Sequence, residues 1–143
     1  MRIRFALLVA AAIAVVAVAA AGAATPPLAE GVTFKPVAKS GVAGTGTVTA
    51  NGVGTGVVVR LTGLKPNSTA RVLLRTGRYP QLSASFAQAV NVKADARGRA
   101  RASSAIRFRR EPVAFHIVAD GQHVLTVVAD GRIVAIAEIP GLD

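Results

Sequence analysis

The chain has 143 residues, 52% of them hydrophobic, and carries 17 lysines and arginines against 7 aspartates and glutamates, a formal net charge of +10. It has no cysteine, which excludes disulfides, thiolate chemistry, Cys-based zinc sites and lipid attachment at a processed N-terminus. Two histidines are too few for a copper centre built from several imidazoles, and one tyrosine and five phenylalanines without tryptophan argue against stacking on nucleic-acid bases.

The first element in chain order is an export signal. Met1-Arg2-Ile3-Arg4 is basic, Phe5 to Ala20 is wholly apolar, and Ala21 and Ala23 place small residues where a signal peptidase needs them. The stretch approaches the roughly 20 residues of a spanning helix, so a retained anchor is the alternative. Cleavage is the preferred reading because the run is Ala-rich and Pro26-Pro27 stops a helix. Residues 1–23 are therefore expected to be removed and the protein to work in the cell envelope or the medium, with no stable membrane span. About 120 residues remain, enough for one core. Residues 24–41 read as a lead-in, a Pro-containing linker passing into an edge segment at Val32-Thr33-Phe34-Lys35-Pro36, and 42–143 as the folded domain.

From Val42 onward Gly, Thr and Val alternate at a period of two, which predicts strands and tight turns. Thr45 to Ala50 and Gly56 to Leu61 form a hairpin about Asn51-Gly52, with Val57, Val59 and Leu61 on one face and Val58 and Arg60 on the other. A Pro turn at Leu64 to Ser68 leads into a strand over Ala70 to Arg75, broken at Thr76-Gly77. Residues 78–86 have no period and read as a long loop. Val90 and Val92 mark another strand. Next comes an alternation with Arg97, Arg99, Arg101, Arg107 and Arg109 on odd positions and Ala100, Ala102, Ile106 and Phe108 on even ones. Asp120-Gly121 and Asp130-Gly131 are hairpin signals ten residues apart and predict three adjacent antiparallel strands. The expectation is an all-β protein, a Greek-key β-sandwich or flattened barrel of about eight antiparallel strands.

Val57-Val58-Val59-Arg60-Leu61-Thr62-Gly63-Leu64-Lys65-Pro66-Asn67, with Arg132 to Pro140 near the end, resembles the copper/zinc superoxide dismutase-like sandwich, and more closely its secreted bacterial and chordin-type relatives. The resemblance covers roughly Val42 to Pro140 and implies the Greek-key layout. It does not carry the chemistry. Where the dismutases place a His-x-His pair this chain has Val72-Leu73-Leu74-Arg75, and Tyr79 and Ile136 stand where relatives have their cysteines. A scaffold alone assigns no function.

The constellations that bear chemistry are few. His116 and His123 flank Asp120-Gly121, and in a hairpin they would share a face, with Glu111 or Asp120 as a third metal ligand. The blander reading, ordinary histidines, is preferred. Asp95, Asp120 and Asp130 sit beside turns, so no pair of carboxylates suggests a hydrolase, and Ser83, Ser85, Ser103 and Ser104 have no assigned base. Asn67-Ser68-Thr69 fits the N-glycosylation triplet, a pattern frequent by chance.

The arginine alternation is the most specific surface feature. Guanidinium groups at Arg97, Arg99, Arg101, Arg107 and Arg109 can each fork onto a phosphate or carboxylate, with Arg71, Arg75 and Arg78 extending the patch if their strands neighbour it. The same pattern also serves to discourage edge-to-edge aggregation. The expectation is a non-catalytic binding or structural module without cofactor, contacting an anionic envelope polymer or an extracellular protein, with nucleic acid a poor partner. Two alternatives stand beside it: a metal or redox protein on the dismutase-like scaffold, and a protein-binding module using the 78–86 loop.

Overall fold

A computed structural model of the chain describes residues 28–51, 54–85, 87–107 and 117–141. These form nine strands: β1 (Leu28–Pro36), β2 (Ala43–Asn51), β3 (Gly54–Thr62), β4 (Thr69–Arg78), the two-residue β5 (Gln81–Leu82), β6 (Ala87–Lys93), β7 (Ala100–Arg107), β8 (His123–Ala129) and β9 (Arg132–Glu138). All pairings are antiparallel. The order is β5-β4-β8-β9-β1-β2-β3-β7, with β6 also paired to β4. The sheet curls until β6 and β7 lie side by side, giving the expected all-β architecture as a flattened half-barrel. The chain crosses between distant positions from β3 to β4 and from β7 to β8, so the layout is a Greek key and not a simple meander.

Two-residue periodicity makes the core. On β3, Val57, Val59 and Leu61 are buried while Val58 and Arg60 are exposed, because successive side chains on a strand point to opposite faces. Val32 and Phe34 of β1, Val48 of β2, Val72 and Leu74 of β4, and Leu125 and Val127 of β8 complete the interior. The Phe34 ring needs bare backbone beside it, with Gly44 directly opposite and Gly46 on the diagonal. A Cβ built on Gly46 would lie 3.3 Å from the Phe34 ring and 2.6 Å from the Val58 carbonyl oxygen.

Several sequence-based expectations change. Residues 28–36, read as lead-in, form β1, which lies between β9 and β2 and buries Val32 and Phe34. The alternation Val32-Thr33-Phe34-Lys35 carried that signal, and Pro36 obscured it by suggesting an edge. The β2–β3 hairpin exists, but Asn51 pairs with Gly54, so its loop is 52–53, which lies outside the described residues. β4 does not break at Thr76-Gly77. It runs on to Arg78, with Gly77 at φ 100°, and the next segment contains a cis Tyr79-Pro80 turn and β5.

Asp130-Gly131 makes the predicted two-residue hairpin, with φ 50° and 74° joining Ala129 to Arg132. Asp120-Gly121 does not. Residues 117–119 are helical, and Gly121 (φ 63°) turns the chain into β8, which starts at His123. Asp-Gly serves a helix end as readily as a hairpin, since both need a left-handed residue. Among the described residues the expected three-strand meander is the β8–β9 pair, with 117–119 helical and the residues before them outside the described ones.

β8 is buried on both faces. Leu125 and Val127 face the core, whereas Val124, Thr126 and Val128 lie on the other side. Arg75 covers part of that side, its Nε donating to Thr126 Oγ1 at 3.1 Å and its Nη1 to the Ser83 carbonyl at 3.1 Å.

Candidate functional site

The exposed face of β1, β2, β3 and β7 is ordered in rows by the strand register. One row reads Thr33, Thr45, Arg60, Arg101, each directly opposite the next. The next, two residues along, reads Gly31, Thr47, Val58, Ser103; the third is Ala29, Thr49, Gly56, Ala105; the fourth ends with Gly54, itself buried, opposite Arg107. Arg60, Arg101, Ser103 and Arg107 are all exposed. β7 is continuous through Ser103-Ser104, so the two serines do not interrupt the strand.

Arg60 and Arg101 therefore face each other across β3 and β7, where opposed Cβ atoms lie about 5 Å apart. No carboxylate among the described residues pairs with either; the ion pairs there are Arg99 with Asp95 and His123 with Asp120. A shallow depression of ≈ 560 Å³ is lined by Thr45, Arg60, Thr62, Asp95, Arg99 and Arg101 among others. A second, of ≈ 240 Å³, shares Thr45 and Arg60 with it and continues over Thr47 and Val58. Together they make a trough with guanidinium groups at one end and hydroxyls along its floor.

Asp95 organises that cationic end. Its Oδ1 accepts from the Arg97 and Arg99 backbone N–H groups at 2.8 and 2.9 Å, and its Oδ2 from Arg99 Nε at 3.1 Å. The Arg99 N–H, and after it the Arg97 N–H and the Arg99 guanidinium, outweigh desolvation and hold the carboxyl below its ordinary value of 3.8. With Nε engaged, the two Nη groups of Arg99 remain its free donors, an arrangement suited to a forked contact with an oxyanion.

The five arginines singled out from the sequence do not form one ladder. Arg99 and Arg101 join the trough, Arg97 lies in the turn that precedes them, and Arg107 stands at the far end of β7. Arg109 lies outside the described residues. Arg71, Arg75 and Arg78 do not extend the patch, because β4 pairs with β5, β6 and β8 and Arg75 is spent on Thr126 and Ser83. The sequence reading missed Arg60. Its outward position was legible, but its place opposite Arg101 depends on a β3–β7 pairing between strands far apart in the chain.

The other candidates resolve differently. His123 is buried, and its Nδ1 lies 2.8 Å from Asp120 Oδ1, which also accepts from the Gln122 N–H at 2.9 Å. His116 and Glu111 lie outside the described residues, and among those described no three His, Asp or Glu side chains gather as a metal site would require. The shared face expected of the two histidines rested on an Asp120-Gly121 hairpin that does not form. In the 78–86 segment Tyr79 is the conspicuous side chain, 46% exposed at the turn. Neither a protein-family model nor a curated protein matches this chain.

Proposed function

We propose that the protein is an exported, non-catalytic binding module that attaches to anionic polymer of the cell envelope through the outer face of β3 and β7. The observation that carries this reading is Arg60 opposite Arg101 with no carboxylate of the described residues paired to either. Like charges directly opposed across two strands destabilise a sheet, and an anion bound between them converts that repulsion into two charge-assisted contacts. Arg99 adds a third guanidinium within the same depression. The basic N-terminus followed by an apolar run supports export, and the net charge of +8 that remains once Arg2 and Arg4 leave with residues 1–23 favours polyanions in that compartment.

The test is co-sedimentation of the purified protein with envelope material at low and at high salt, beside the Arg60→Gln/Arg101→Gln double variant. The wild-type protein is expected to sediment at low salt and to be released at high salt, since contacts at an exposed face are screened. Sedimentation of the double variant to the wild-type extent, or failure of the wild type to sediment at either salt, overturns the reading.

A further inference from the structure

We infer that the ligand of this face is a hydroxyl-rich polysaccharide whose oxyanion groups are widely spaced by neutral sugars; the inference rests on the anion-binding reading above. Its basis is the spacing of charge along β7. Arg101 and Arg107 are six residues apart on one strand face, about 20 Å at ~3.3 Å per residue. Ser103 and Ala105 lie between them, and beside these are Val58 and Gly56 on β3 and Thr47 and Thr49 on β2. Among the described residues that whole interval carries no cation.

A densely charged chain does not match such a surface. Duplex DNA, for example, presents a charge about every 1.7 Å, and most of those charges would lie over the uncharged interval. At the opposite end of the trough Arg99, held by Asp95, turns its two Nη groups to the same depression as Arg60 and Arg101, so the cations gather there and not along the interval. A chain with one acidic group seated between Arg60 and Arg101 and the next near Arg107 leaves its neutral part on Thr45, Thr47 and Ser103. Their hydroxyls both donate to and accept from sugar hydroxyls. Gly56 and Ala105 bring almost no side-chain bulk, so a chain can lie close to the sheet on its way to Arg107.

The experiment compares three probes at one ionic strength: gellan, which carries one carboxylate per tetrasaccharide repeat, polygalacturonate with one on every sugar, and long-chain inorganic polyphosphate. The wild-type protein is expected to bind gellan most tightly per anionic group. Arg107→Gln should weaken gellan binding on the order of tenfold, through loss of the second anchor. It should leave unchanged the affinity for a short oligosaccharide bearing one glucuronate, which reaches only Arg60 and Arg101. Thr47→Val/Ser103→Ala should weaken gellan severalfold and leave polyphosphate unaffected. Tighter binding of polyphosphate or polygalacturonate than of gellan, with Arg107→Gln affecting all probes alike, overturns the spacing inference while the anion-binding reading stands. Binding to none of the probes, with no sedimentation on envelope material, overturns both.

Discussion

Replacing Arg101 by Glu should make the free protein more stable while removing its retention on anionic polymer. Arg60 and Arg101 are directly opposed on an exposed face with Cβ atoms about 5 Å apart, and side chains running parallel off the sheet would hold their charges at a similar separation. In a water-like dielectric two unit charges at that distance interact by about 0.8 kcal/mol, and screening at physiological ionic strength leaves roughly half. Turning repulsion into attraction doubles the change, giving about 0.8 kcal/mol, within the range measured for cross-strand pairs. For a domain of about 100 residues this raises Tm by roughly 3–6 °C. Thermal unfolding followed by circular dichroism at low and at physiological salt measures it. The gain should shrink as salt rises, and Arg101→Gln should give about half of it. An unchanged or lower Tm for Arg101→Glu at low salt would refute the argument that these two arginines repel each other in the free protein.

Three further outcomes follow from the geometry. Gly46→Ala should cost about 1–3 kcal/mol in denaturant unfolding, because the new Cβ meets the Val58 carbonyl at 2.6 Å and the Phe34 ring at 3.3 Å and the backbone must shift; a loss below ~0.5 kcal/mol would show that β2 yields freely. Asp95 titrates below its ordinary value of 3.8, so its contribution to stability is complete above that value and is lost as pH falls through the lower folded-state value. Asp95→Asn should therefore flatten the fall in denaturant midpoint on the acid side of pH ~4, and a slope equal to the wild type's would assign that fall to other carboxyls. Arg75→Ala removes the bonds to Thr126 and to the Ser83 carbonyl, and limited proteolysis should then cut within residues 79–85 faster than in the wild type, with the rest of the domain equally resistant.

The sequence was most legible where structure is local. Alternation placed the inward side chains of β3 and β7, and Asp130-Gly131 announced its hairpin, because each depends on neighbours a few residues away. Punctuation with two meanings was harder to read. Pro36 concealed an interior strand, Gly77 did not break β4, and Asp120-Gly121 ended a helical turn. The site itself depends on long-range pairing. Arg101 was named from its own strand, whereas Arg60, its opposite number, belongs to a strand some forty residues earlier, and no local pattern records that β3 and β7 are neighbours. Arg75 shows the converse: in the sequence it is one more surface cation, and in the fold it braces the outer side of β8.

β1 runs along β2 for most of its length and meets β9 only at Lys35 with Ile136 and Pro36 with Ala135. The Val37 N–H bond to the Val134 carbonyl and the Ser40 hydroxyl bond to the same oxygen extend that join across 94 residues of sequence. The join between β1 and the β4–β8–β9 side thus waits for β9. Such a topology has a high contact order, and domains of this kind fold in milliseconds to seconds, far more slowly than helical bundles of equal size. In a chain arranged in this way the β1–β2–β3 hairpins can form early, but the join to the β4–β8–β9 side cannot be made until β9 is in place.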